Sequence, residues 1–252
     1  MRIIRILILT TILTTVMIVG LTSCNKDNPI LFKDSSMGFI SGENQITTDN
    51  GLTYTIINSE INLDFGTRVY SSLSVIGCID EGSKEYAAKL ENISIPECSV
   101  PLKASKTDLS VWDDAISVSQ AWISGGYLNM HCSWIVKTNS ETMQETALVL
   151  DDHIESKDTV AFILVHNSKG EGFYKDSGNS PLKVINKLAT FPIQEIIPSE
   201  NVTIKLSWKW HRSDGYYLYP ETEEHSIYYS LTEASAEPST KATISPFTTL
   251  LP

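Results

Sequence analysis

Enzyme signatures are missing from this chain of 252 residues. It has no GxSxG nucleophile elbow, no HExxH, no P-loop and no glycine-patterned dinucleotide loop. No CxxC or Cys/His spacing marks a zinc site. The five histidines, His131, His153, His166, His211 and His225, are scattered and share no metal-ligand spacing. Basic residues are scarce: 19 Lys and Arg face 30 Asp and Glu, for a formal net charge of −11. Such a surface repels phosphate backbones, so nucleic acid is excluded as a partner. No long helical period runs through the chain, and the one long apolar run stands at the start.

That run answers to an address. Arg2 and Arg5 precede the apolar stretch Ile6 to Gly20, which ends in "VGLTSCNKDN", residues 19–28. This is the order of a bacterial export signal. A cysteine behind small residues makes it a lipobox, because diacylglycerol is attached through a thioether. Cys24 is the predicted lipidation site and first mature residue. The other reading is an uncleaved anchor, but the stretch is threonine-rich and short against the roughly 17–25 residues of a span. Cys24-Asn25-Lys26-Asp27 resembles the export tags of surface lipoproteins in anaerobic Gram-negative bacteria, with a single acid after Lys26; a solvated tether is the plainer reading.

Removing 23 of 252 residues leaves 229, and the loss of Arg2 and Arg5 takes the charge from −11 to −13. The membrane is then a partner only through the acyl chains, each buried methylene contributing about 0.8 kcal/mol. Three further cysteines remain, Cys78, Cys98 and Cys132. An odd number leaves at least one thiol unpaired. Cys78 and Cys98 end two adjacent strand-like runs and are the candidate disulfide. A plain hairpin between those runs sets them apart, whereas a barrel closing on itself brings them back together. Cys132 lies in "YLNMHCSWIV", a strand core, and is expected to stay reduced and buried.

The mature chain reads as β throughout. "QITTDNGLTYTIIN" puts Asn50-Gly51 between two strand-like runs, the sequence of a type I′ hairpin. "TRVYSSLSVIGCI" and "EYAAKLENISIPE" follow. In "VTIKLSWKWH", Ile204, Leu206, Trp208 and Trp210 alternate with Lys205, Ser207, Lys209 and His211, which predicts one buried face. "PLKVINKLATFPIQEII" is ambiguous and has room for a helical turn.

"DDAISVSQAWISGGYLNMHCSWIV", residues 113–136, resembles the start of the C-terminal domain of NigD-like lipoproteins. "MGFISGENQITTDNGLTYTIINSEINLDFGTRVYSSLSVIG" is similar to their N-terminal domain. The resemblance implies an all-β fold: a small OB-like barrel followed by a β-sandwich. It implies no reaction, no cofactor and no catalytic residues. The family takes its name from a bacteriocin-associated gene cluster, which points to an envelope or immunity role.

The expected organisation is a signal peptide at 1–23, a tether at 24–36, the barrel at 37–102, a linker at 103–110, the sandwich at 111–230 and a Ser/Thr/Pro-rich tail at 231–252. Its expected address is the outer membrane, lipid-anchored, with the cell-surface or periplasmic face open. The leading role is a non-catalytic accessory or interaction protein of the envelope, in bacteriocin-associated protection or immunity. The alternatives are a glycan-binding surface lipoprotein and an envelope hydrolase; partners are an envelope protein or a glycan.

The candidate binding surface is "SDGYYLYPETEEHSIYY", with Tyr216, Tyr217, Tyr219, Tyr228 and Tyr229 among acids. Tyrosine joins an apolar face to a hydroxyl and is enriched at interfaces. The competing reading is a strand whose alternate tyrosines face the core. "LDDHIESKD" gathers Asp151, Asp152, His153, Glu155 and Asp158, but off the EF-hand spacing, so a solvated loop is expected and no metal. In "WISGGYLN", Gly125-Gly126 marks a turn, a bulge or a close backbone approach, with Trp122 as core. Asp158-Thr159-Val160 resembles a short O-glycosylation motif.

Overall fold

The computed structural model describes residues 29–153, 156, 158–171, 181–197, 202–213, 218–231 and 242–243. Cys24, Tyr216 and Tyr217 lie outside them, as does most of the 231–252 tail.

Five strands form a closed barrel: β1 (Phe32–Gly42), β2 (Gln45–Thr48), β3 (Thr53–Ile56), β4 (Arg68–Asp80) and β5 (Glu85–Ser94). The order is β1-β2-β3-β5-β4, with β1 pairing back onto β4. This is the Greek-key order of an OB-type barrel. β3 and β5 run parallel, and the other neighbours antiparallel. Register shifts at Ser72/Leu73, Val75/Gly77 and Cys78/Asp80 bend β4 against β5, as closure of so small a barrel requires. Inside pack Ile40, Ile46, Tyr54, Ile56, Val69, Leu73 and Val75.

The β2–β3 turn corrects the expected type I′ hairpin. Only Gly51 has a positive φ, 78°. The Gly51 N–H donates to the Thr48 carbonyl at 2.9 Å, and the Thr48 N–H to the Leu52 carbonyl at 2.9 Å. This is a three-residue loop, a type I turn closed by a left-handed glycine. It leaves Asp49 at the tip with its side chain free to reach outward.

The sandwich comprises β6 (Glu97–Cys98), β7 (Leu102–Lys103), β8 (Ser117–Ser124), β9 (Tyr127–Lys137), β10 (Glu145–Leu150), β11 (Thr159–Asn167), β12 (Leu182–Pro192), β13 (Val202–Ser213), β14 (Leu218–Leu231) and β15 (Ala242–Thr243). One sheet has the order β15-β8-β9-β12-β6, the other β14-β13-β11-β10-β7. Ile204, Leu206, Trp208 and Trp210 all enter the shared core, with Met130, Trp134, Phe162 and Phe191. The period-two reading of β13 therefore holds. The ambiguous segment 181–197 is a strand, β12, ending in a turn at 194–196.

Residues 103–110, expected as a linker, lie on the sandwich. β6 pairs with β12 and β7 with β10. Two 3-10 turns, Ala104–Lys106 and Leu109–Val111, follow. They carry Ala104, Leu109 and Trp112 onto Ala147, Val149 and Val165. These three face away from the main core, so their apolar surface is covered only by that segment. The polar stretch hides this role because its few apolar residues are spaced too widely to show a period. Asp152 pins it, accepting from the Ser105 N–H at 2.9 Å and hydroxyl at 2.5 Å. These bonds hold the Asp152 carboxyl below its ordinary pKa. Among the described residues no group of His, Cys, Asp and Glu could hold a metal ion.

Candidate functional site

The barrel sits on the outer face of the β8-β9-β12 sheet, and its most buried polar residues meet there. Arg68 opens β4 opposite Phe39 of β1. Its side chain points at the sandwich and is almost wholly buried, as is that of Asp49. The guanidinium grips the Asp49 carboxylate with two parallel bonds, Nη1 to Oδ1 at 2.9 Å and Nη2 to Oδ2 at 2.8 Å. The same fork crosses into the sandwich. Nε donates to Thr190 Oγ1 at 3.2 Å and Nη2 to Asn129 Oδ1 at 3.1 Å.

Asn129 and Thr190 are register partners in β9 and β12. The Thr190 hydroxyl donates to Asn129 Oδ1 at 2.8 Å. Ser124, at the end of β8, donates to Asp49 Oδ2 at 2.6 Å and receives a bond from Asn129 Nδ2 at 3.1 Å. Phe39 and Tyr127 flank the guanidinium, their ring centres 4.7 and 3.9 Å from its carbon. A planar fork suits this place where an ammonium would not. Buried charges are tolerated because each has a partner and further hydrogen bonds. One guanidinium thus ties the hairpin tip of the barrel to two strands of the sandwich, a lock between the domains.

The glycines of "WISGGYLN" complete the lock. Gly125 and Gly126 make the β8–β9 turn with φ of 55° and 82°. A Cβ on Gly125 would stand 2.5 Å from Asp49 Oδ1. Turn and close approach, offered as alternatives for this pair, are both true. Trp122, expected in the sandwich core, is buried at this junction instead. It pairs with Asn129 across the sheet, and its ring lies 5.5 Å from that of His131, which in turn meets Tyr70 of the barrel at 6.2 Å.

The tyrosine strand divides. Tyr229 is in the sandwich core, where burial raises its pKa. Tyr228, its neighbour, points outward and is 63% exposed. The Arg212 guanidinium lies over Tyr219 at 4.8 Å. Of the three described tyrosines, Tyr228 alone is fully on the surface, while Tyr219 is half-buried beneath the Arg212 guanidinium.

Cys78 and Cys98 form no disulfide: both are free and exposed. Cys78 sits opposite Tyr86 near the β4–β5 turn, whereas Cys98 has passed the far end of β5 and pairs with Thr190 of the sandwich. Barrel closure does not return one to the other. Cys132 is free and buried as expected, and burial pushes its thiol up to about 12.

A second buried polar cluster closes one end of the sandwich. His166 Nδ1 donates to the Ala115 carbonyl at 3.0 Å, and Nε2 meets the Gln144 side-chain amide at 2.9 Å. Its ring lies 4.9 Å from Trp134. Burial lowers the His166 pKa, against the raising influence of its bond to Ala115 and the nearby Asp114 carboxylate.

The fold and the buried junction define a two-domain β protein, an OB-type barrel joined to a sandwich through buried polar contacts. Residues 99–219 match the family model of the NigD-like C-terminal beta sandwich domain. The sandwich is thus a NigD-like C-terminal domain. Three solved structures share the two-domain fold. A NigD-like immunity protein from Bacteroides caccae is 20% identical, with 80% of this chain and 98% of that one covered and a TM-score of 0.54. A candidate lipoprotein from Bacteroides fragilis is 14% identical, with coverage of 81% and 99% and a TM-score of 0.57. A candidate toxin-related protein from Parabacteroides distasonis is 15% identical, with coverage of 81% and 96% and a TM-score of 0.53. No curated protein matches the chain.

Proposed function

We propose that this protein is an outer-membrane lipoprotein, acylated at Cys24, that acts by binding and not by catalysis, in an immunity or accessory role. One observation supports the reading: the chain enters the barrel at the end opposite the one that meets the sandwich. β1 begins at Phe32 beside Val75 of β4, and the sandwich is locked on at Arg68. Seven residues of β4 separate the two, about 23 Å of strand. The barrel is then a stiff spacer that holds the sandwich off the bilayer, an arrangement suited to meeting a partner. The NigD-like immunity protein among the structural relatives supports the same role.

The test is protection. A susceptible strain carrying the wild-type gene should survive bacteriocin from related strains, and the Cys24→Ala form, left unacylated, should not protect. Equal survival of cells with and without the wild-type gene would contradict the immunity role, and fatty-acid labelling of the Cys24→Ala chain would contradict the lipidation site. A glycan-binding role is favoured by one feature, the outward Tyr228. Binding on a glycan array that is lost in Tyr228→Ala would establish it.

A further inference from the structure

The end of the barrel that faces away from the sandwich carries an apolar rim. Ile30 is 52% exposed, Leu31 55%, Phe32 40% and Ile79 55%. Chain pairing sets the start of β1 beside β4. Phe32 sits opposite Val75, and the Leu31 N–H donates to the Val75 carbonyl at 2.7 Å. The strand β4 then runs on through Cys78 and Ile79 to the tight turn at Asp80. Phe32 packs edge-on against Tyr86 of the next strand, with ring centres 5.8 Å apart. These side chains thus share one end of the barrel, where β1 begins and β4 ends. Four exposed apolar residues at one end of a small acidic domain need an occupant.

The position of the tether names that occupant. Only five residues lie between Cys24 and Ile30, and the six steps reach at most about 21 Å. We infer that this rim rests in the interfacial layer of the bilayer that holds the acylated Cys24, with Ile30, Leu31, Phe32 and Ile79 as its contacts. The inference rests on the lipoprotein reading above. The contact is apolar. Asp34, Asp80, Glu81 and Glu85 outnumber Lys33 and Lys84 around it, so it needs no anionic lipid and should resist salt. Acyl chains alone fix where the protein is held but leave its tilt free. An inserted rim sets the barrel upright and the sandwich outward.

The exposed cysteines provide the probe. Acylated protein purified from cells is labelled with an environment-sensitive fluorophore at Cys78 in a Cys98→Ser background, or at Cys98 in a Cys78→Ser background. Each is reconstituted into zwitterionic phosphatidylcholine vesicles, with or without lipids bearing a spin label on the acyl chain. Cys78 adjoins Ile79, and Cys98 is on the sandwich. The expected result is a blue shift and loss of emission at Cys78, none at Cys98, unchanged at high salt. In Leu31→Asp/Ile79→Asp the Cys78 signal should return to its aqueous value while the protein still floats with the vesicles. Because both side chains are exposed, its thermal transition should match that of the parent. Protein that floats with Cys78 unquenched would overturn the inference and leave the lipoprotein reading intact. Protein that neither floats nor takes up labelled fatty acid would overturn both.

Discussion

Asp49 Oδ1 stands 2.5 Å from the point where a side chain on Gly125 would begin. The two residues belong to different domains, and each is at the tip of a hairpin. The carboxylate has no room to retreat, because Arg68 and Ser124 hold both its oxygens. Gly125→Ala should therefore destabilise the protein by about 2–4 kcal/mol, from the clash together with the left-handed backbone. Gly51→Ala has a similar φ but open space around it, and should cost only about 1 kcal/mol. Urea unfolding of the two variants checks the order.

Removing Arg68 leaves Asp49 charged and buried. Arg68→Ala should lose about 3–5 kcal/mol, the range for breaking a buried pair. Arg68→Lys should recover little of it, since an ammonium cannot make the two-pronged contact or fill the slot between Phe39 and Tyr127. Calorimetry should also show the single transition of the parent resolving into two as barrel and sandwich uncouple.

Acid should weaken the sandwich through His166. Burial lowers its folded pKa below the unfolded value near 6.5. The unfolded chain then binds the proton first. The His166 contribution is complete above about pH 6.5 and is lost as pH falls, with a slope of at most about 1.4 kcal/mol per pH unit, until the folded ring also protonates. Stability measured from pH 7.5 to 5 should fall in the parent and fall less steeply in His166→Gln. Equal slopes would show that the ring does not titrate on unfolding.

Much of this fold is legible in the sequence because its strands obey simple alternation. β13 displays its buried face in four residues, and the lone Gly51 marks a turn even though the turn type differs. The junction is not legible. Arg68 opens a strand-like run, and Asp49 looks like one more polar residue of a hairpin loop. Nothing local connects them to Asn129 or Thr190, which lie 61 and 122 residues from Arg68. Trp122 misleads for the same reason: burial between domains and burial in a core have one sequence pattern. The tyrosine cluster is legible only in part, since alternation predicts that neighbours such as Tyr228 and Tyr229 part company but not which one faces water.

Thiol chemistry separates the cysteines. Folded protein lacking residues 1–24 should be alkylated at Cys78 and Cys98 near neutral pH. Cys132, buried with a thiol pushed up to about 12, should react only after denaturation. Mass spectrometry of native and unfolded samples counts the adducts. Early modification of Cys132 would mean that the sandwich core opens readily.

The central claim is that the Arg68 junction makes barrel and sandwich one rigid body. It is tested most directly by spin labels at Cys78, on the far end of the barrel, and at Met143→Cys, an exposed position of the sandwich, with Cys98 changed to Ser. Pulsed dipolar spectroscopy should give a single narrow distance distribution that broadens in Arg68→Ala. A broad distribution in the parent, or one that Arg68→Ala leaves unchanged, would contradict it.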